Sequence, residues 1–167
     1  SVDGAVLALG DRVVWTVTAS CGACERCLRG LPQKCHELRK YGHERLERGW
    51  ELSGGFATHV HLLRGTGIVR VPETMPAELA APASCSTATA VAALDAGGGA
   101  PLDGAEVLVA GAGMIGLAVT AIASAAGATV TVVDPDDVRR DTARRFGART
   151  VLDPGGGALA GQLAAPG

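Results

Sequence analysis

"EVLVAGAGMIGLAVTAIASAAGATVTVVD", residues 106–134, decides how the chain folds. "EVLVAG" has the apolar, β-branched character of a buried strand, "MIGLAVTAIASAA" reads as a helix closed by Gly127, and "ATVTVVD" reads as a second strand. Between the first strand and the helix stands Gly111-x-Gly113-x-x-Gly116. A lone GxGxxG is weak, but one that follows a strand and opens a helix is strong. Gly111 permits the tight turn, Gly113 lets the backbone approach a pyrophosphate, and Gly116 allows close packing of helix on strand. The phosphate charge then falls on the helix N-terminus, at Met114 and Ile115. Asp134, eighteen residues past Gly116, is placed to accept from both ribose hydroxyls of NAD and to repel the 2′-phosphate of NADP.

Downstream, "DDVRRDTARRF" reads as a helix closed by Gly147 and "RTVL" as a third strand. Strands alternating with helices imply a parallel sheet with right-handed crossovers. A complete dinucleotide-binding domain uses two such halves, so the chain is expected to be truncated at its C-terminus. The final "DPGGGALAGQLAAPG" supports no element. Arg139 could reach a 2′-phosphate, yet Arg139, Arg140, Arg144 and Arg145 also suit a solvated helix face. Asp136 and Asp137 would open that helix and arginines close it, as the helix dipole favours.

Upstream, Val6 to His61 offers short apolar runs ("RVVWTV", "GGFATHVHL") separated by Gly, Pro and charged residues, the pattern of an irregular antiparallel β region. After Val71 the sequence turns Ala-rich and helix-compatible, with Pro72, Pro76 and Pro82 breaking it and Gly97 to Gly99 ending it. The expected domains are therefore 1–75 and 76–167.

Within the β region "CGACERCLRGLPQKC", residues 21–35, forms a loop with Cys21, Cys24, Cys27 and Cys35 spaced C-x2-C-x2-C-x7-C. Two-residue gaps let thiolates converge on one ion, at about 2.3 Å from each sulfur if it is zinc. Four thiolates fill a tetrahedron and leave no position for substrate, so such a site is structural. A [4Fe–4S] set of the bacterial ferredoxin type starts the same way but continues x3-C-P, whereas here the last gap is seven and His36 follows. Four unligated thiols on a polar loop would be open to oxidation. His36 reads as a surface residue; His59 and His61, two apart, would share one face of a strand.

With 47% hydrophobic residues and a formal charge of −2, the chain can bury a core and carries no basic footprint for nucleic acid or an anionic membrane surface. The longest apolar stretch, Met114 to Ala126, is too short to span a bilayer and is expected to be a buried helix. The opening "SVDGAVLALGDRVVW" does not resemble a secretory signal, and a cytoplasmic, reducing setting is expected. There, five cysteines favour metal ligation or catalysis over disulfides. Thirteen arginines against two lysines, with abundant Ala and Gly, read as coding bias.

The clamp, "SGGFATHVHL", "APASCSTATAVAAL" and "VLVAGAGMIGLAV" with its acidic residue after the second strand together resemble the zinc-dependent medium-chain alcohol dehydrogenase superfamily. The resemblance covers almost the whole chain. It implies an α/β architecture: part of a GroES-like irregular β domain, followed by the first half of a Rossmann domain that binds NAD. It implies that Cys21, Cys24, Cys27 and Cys35 hold a structural zinc, and that Cys85 is the last of three protein ligands to a catalytic zinc. It also implies that Thr89 packs near the nicotinamide and Arg139 beside the adenosine ribose. Without it, Cys85 would be an ordinary buried helical cysteine.

The family's other catalytic ligands, a cysteine and the histidine of a Gly-His-Glu block, would precede "GDRVVW". "YGHE", residues 41–44, has the same letters after the clamp, so His43 is not given that role. The expected partner is a small-molecule alcohol or carbonyl compound, in a homo-oligomer when the enzyme is intact. "KYGHE", "ELSGGFATHVHL" and "APASCSTATA" are most similar to a branch associated with phosphonate catabolism, implying a small hydroxyalkyl phosphonate or related alcohol. The chain by itself is expected to be inactive. The alternative function is a non-catalytic zinc- and nucleotide-binding sensor or structural module.

Overall fold

The computed structural model describes residues 4, 6–97, 100–156 and 161 of the chain. The chain divides into two compact units, Ser1–Cys85 and Ser86–Gly167. Gly98, Gly99 and most of "DPGGGALAGQLAAPG" lie outside the described residues, as do residues 1–3 and 5 of the opening segment.

The first unit is built on β1 (Val13–Ala19), which collects β2 (Arg39–Lys40) on one edge and β3 (Thr66–Arg70) on the other, both antiparallel. β1 is the "RVVWTV" run, whose β-branched residues suit a half-buried pleat. Trp15 pairs with Ile68 and Ala19 with Thr66, so β1 carries two extra residues between those pairs and bulges. The Thr16 hydroxyl fills the break by accepting from the Gly67 N–H at 3.0 Å.

Two expectations for this unit need correction. "GGFATHVHL" is not a strand, and the third strand is "TGIVR" instead. The run lacks a buried face to support pairing: Phe56 is fully exposed, and Ala57, Thr58 and His59 after it are exposed as well. His59 and His61 therefore share no strand face, and both are exposed. Residues 41–63 are held by isolated backbone hydrogen bonds, such as Gly42 N–H to the Ser53 carbonyl and His61 N–H to the Leu52 carbonyl, each at 2.8 Å, and by side chains. Trp50 and Tyr41 are buried with their rings edge-on at 5.3 Å, and Trp50 Nε1 donates to the His61 carbonyl at 3.0 Å. The Arg39 guanidinium lies 4.5 Å over the Trp50 ring and bridges Glu44 and Glu47 at 2.7 and 2.8 Å. The cysteine segment, expected to be a plain loop, contains a single helical turn, α1 (Glu25–Leu28), and a 3-10 turn over Pro32–Lys34. The unit ends in another short turn, α2 (Ala77–Ala80), and a 3-10 turn over Ala81–Ser84.

The second unit opens with α3 (Ser86–Asp95) and continues β4 (Glu106–Ala110), α4 (Met114–Ala125), β5 (Thr129–Val133), α5 (Asp137–Arg145), β6 (Thr150–Leu152). The three strands are parallel in the order β4-β5-β6, the start of a Rossmann-like sheet. β5 is central, and Val130 and Val132 are wholly buried. Val109 and the alanines at 112, 123, 143 and 148 complete the core, the small alanine side chains letting helices close on the sheet. α4 is less buried than its composition suggests: only Thr120 and Ala123 are enclosed, and Met114 and Ile115 at its start are exposed. No described helix is long and apolar enough to cross a membrane.

Asp136 caps α5, its carboxylate accepting from the Arg139 N–H at 3.0 Å, while Arg144 and Arg145 occupy the last turn. Asp136→Ala is expected to cost about 1 kcal/mol of stability, read as a lowered urea midpoint with an unchanged m-value.

Candidate functional site

The cysteine segment folds so that four sulfurs face one another. α1 carries Cys27 with Cys24 as its N-cap, and the 3-10 turn delivers Cys35 as its C-cap. All four Sγ atoms lie within 4.8 Å of one another. Cys21 is 3.5 Å from Cys35 and 4.0 Å from Cys27, and Cys24 is 3.6 Å from Cys27 and 3.9 Å from Cys35. A tetrahedron with a metal–sulfur distance of about 2.3 Å has edges of about 3.8 Å, so the spacing fits one four-coordinate ion. Among the described residues no other group of three or more Cys, His, Asp or Glu gathers in this way.

Electrostatics also favour a cation there. The Cys21 and Glu37 N–H groups donate to the Cys35 sulfur and the Cys24 N–H donates to the Cys21 sulfur, each at 3.3 Å. The His36 backbone N–H, helped by that of Cys27, draws Cys24 down to about 6, whereas desolvation and the neighbouring sulfurs push Cys27 up to about 12. Sulfurs this close cannot all ionise unless a cation joins them. A metal ion taken up here would have to displace a proton from Cys27 at neutral pH, so its affinity would rise with pH. Zinc affinity is expected to be higher at pH 8 than at pH 6, with protons released on uptake, as measured by competition against a chromophoric chelator.

None of the four histidines joins the cluster. His36 is exposed beside Cys35, His43 Nδ1 lies 2.8 Å from the Tyr41 carbonyl oxygen, and His59 Nδ1 lies 3.1 Å from the Thr58 hydroxyl. Cys85 is neither buried nor helical. It is exposed, at the break between the Ala81–Ser84 turn and α3, because Pro82 shapes a 3-10 turn there instead of a continuous helix. No cluster of ligand atoms among the described residues includes it. Thr89 lies exposed on α3.

In the second unit, Gly111 and Gly113 lie in the turn between β4 and α4, and Met114, Ile115 and Gly116 form the first turn of α4. Gly111 has φ +97°, and its N–H donates to the Val133 carbonyl at 2.7 Å. A Cβ on Gly116 would stand 1.9 Å from the Gly111 carbonyl oxygen and 3.3 Å from Val109 Cγ1, so helix and turn touch there. A Cβ on Gly113 would meet nothing within 4 Å, and φ there is −75°. Neither packing nor backbone conformation demands glycine at 113, and the open space beside it suits the close approach of a ligand backbone group. No side chain caps α4, so its first N–H groups are left for an anion.

Asp134 lies just beyond β5 and is only 3% exposed. Its Oδ2 accepts from the Ala112 N–H at 2.7 Å and its Oδ1 from the Asp136 N–H at 2.9 Å. These bonds, the Ala112 one foremost, hold its pKa below the ordinary value, so it is ionised at neutral pH. Each oxygen retains a lone pair for a further donor. Arg139 is exposed on α5. Arg140 departs from the expected solvated face: its Nη1 turns inward to the Asp134 carbonyl oxygen at 2.7 Å. Its sequence signal, one of four arginines on the same short helix, did not distinguish it from the others.

The model of the alcohol dehydrogenase GroES-like domain matches residues 1–73, and that of the alanine dehydrogenase/PNT C-terminal domain matches residues 77–159. An alcohol dehydrogenase of Geobacillus stearothermophilus is 31% identical over 150 residues, covering 89% of this chain and 41% of the relative. The crystal structure of an alcohol dehydrogenase of Thermotoga maritima superposes with a TM-score of 0.87 at 29% identity, covering 96% of this chain and 44% of that one. A structure described as a zinc-binding dehydrogenase of Sinorhizobium meliloti bound to NADP superposes with a TM-score of 0.74 at 28% identity, covering 96% and 44%. The chain spans about two fifths of the length of the curated relatives it matches.

Proposed function

We propose that this chain, a member of the medium-chain alcohol dehydrogenase superfamily, belongs to a zinc-containing oxidoreductase that transfers a hydride between an alcohol and NAD. The carrying observation is the turn from Gly111 to Gly116 with its open Cβ space at Gly113, set against the buried, ionised carboxylate of Asp134. In this reading the α4 N–H groups at Met114 and Ile115 take the pyrophosphate, and Asp134 accepts from the adenosine ribose. Arg139 lies beside that ribose.

Cys21, Cys24, Cys27 and Cys35 are proposed to hold a structural zinc, whose four thiolate ligands exclude substrate and whose role is to fix residues 21–35. Cys85 is proposed as one ligand of a catalytic zinc and Thr89 as a neighbour of the nicotinamide. When bound, such a zinc polarises the substrate oxygen and nicotinamide accepts the hydride. The proposed domain boundary falls at residues 75 and 76. That a similar structure holds NADP makes cofactor choice a matter of local residues, and Asp134 is the anion that disfavours a 2′-phosphate.

The purified chain is expected to bind one zinc and to prefer NADH to NADPH in fluorescence titrations. It is expected to turn over no alcohol, because Cys85 gathers no companion ligands among the described residues. Zinc-dependent turnover would refute that expectation. Iron with acid-labile sulfide in place of zinc would refute the proposed metal site. Nucleotide binding with no dehydrogenase activity, even in a longer chain carrying the remaining ligands, would favour the sensor reading.

A further inference from the structure

Asp134 is fastened by more than its carboxylate. Its N–H donates to the Leu152 carbonyl at 3.1 Å, and its own carbonyl oxygen accepts from Arg140 Nη1 at 2.7 Å. The Arg140 side chain is 18% exposed, although it springs from a strongly charged surface helix. The same Nη1 stands 3.8 Å from Oδ2 of Asp153, just beyond β6. A guanidinium drawn this far from water needs partners, and these are a main-chain carbonyl and a carboxylate from the next strand. Neither is the Asp134 carboxylate. Arg140 thus grips the main chain at residue 134 from behind, while the Ala112 and Asp136 N–H groups orient the carboxylate in front. The adjacent Arg139 is disposed differently: it is exposed, its side chain forms no hydrogen bond or ion pair among the described residues, and it reaches Asp134 only through its charge, which helps to lower that carboxyl's pKa.

We propose that Arg140 is a positioning residue that locks Asp134 for discrimination between an adenosine ribose and its 2′-phosphorylated form, a role that rests on the nucleotide reading above. A fixed carboxylate, tied through both oxygens, cannot swing away from an incoming phosphate. Without Arg140, the Asp134 carbonyl loses its charged donor and the β5–α5 turn can shift, moving the carboxylate and relaxing the discrimination.

The test is fluorescence titration of NADH and NADPH against the full chain and its Arg140→Met and Arg140→Lys variants. Arg140→Met is expected to lower the ratio of NADPH to NADH dissociation constants by about tenfold, or about 1.4 kcal/mol. Arg140→Lys, which keeps a charged donor, should restore most of the ratio. A purely structural role would weaken both nucleotides equally and leave the ratio unmoved, which would overturn the proposal alone. If the unmodified chain binds neither nucleotide, the nucleotide reading falls and the proposal with it. Amide hydrogen exchange checks the lock without ligand: Arg140→Met should speed exchange at Ala112 and Asp136 but not at Val132, inside the β5 ladder. Equal acceleration at all three would also overturn it.

Discussion

A Cys35→Ser chain is expected to take up no stoichiometric zinc and to lose the fold of residues 21–35. Cys35 is the buried member of the cluster, 6% exposed, and its sulfur accepts from the Cys21 and Glu37 N–H groups. It also lies 3.5 Å from Cys21 and 3.9 Å from Cys24, so its loss opens the tetrahedron on two sides. A serine hydroxyl is a poor replacement for a thiolate toward zinc. Structural zinc binds small cysteine-rich sites with apparent free energies of about 10–16 kcal/mol near neutral pH. Even a fraction of that exceeds what the one-turn α1 and its 3-10 neighbour supply alone. Elemental analysis beside native mass spectrometry reads the stoichiometry, and proteolysis within residues 21–35 reads the loss of order. Full zinc retention by the variant would rule out the four-thiolate site.

The second large effect separates two glycines three residues apart. Gly116→Ala would place a methyl carbon 1.9 Å from the Gly111 carbonyl oxygen, a backbone atom that cannot turn aside as a side chain can. The helix must lift from the turn, at a cost at or above the upper end of the about 1–3 kcal/mol usual for overpacking. Gly113→Ala meets no atom within 4 Å and sits at φ −75°, so stability should hardly change. Its methyl would instead occupy the space proposed for the pyrophosphate, weakening NADH by at least about tenfold, or about 1.4 kcal/mol. Urea unfolding of both variants, paired with NADH titration of Gly113→Ala, makes the comparison. Normal NADH affinity in Gly113→Ala would remove the turn from the nucleotide site.

Much of this was legible in the sequence because the deciding signals are local. Glycines at three fixed offsets, an apolar strand before them and an acidic residue closing the next strand specify a βαβ unit, since the period of each segment is set within its own few residues. The cysteine spacing likewise points to one ion, because two-residue gaps return successive side chains to one side of a short turn. The irregular β region was less legible. "GGFATHVHL" has the composition of a strand yet forms none, and "TGIVR" pairs instead. Strand pairing depends on a partner edge and a face to bury against, and neither is written in the strand itself.

The sequence by itself determined the order of elements in the nucleotide half and the identity of the four thiols, both products of short-range spacing. Only the tertiary structure decided that "GGFATHVHL" forms no strand, that Trp50 closes on the His61 carbonyl under Arg39, and that Cys85 is exposed. It also decided which of four neighbouring arginines turns inward to grip the main chain at Asp134. The physical reason is common to these cases. A buried charge or ring is placed by partners distant in the chain, and no local pattern carries their positions.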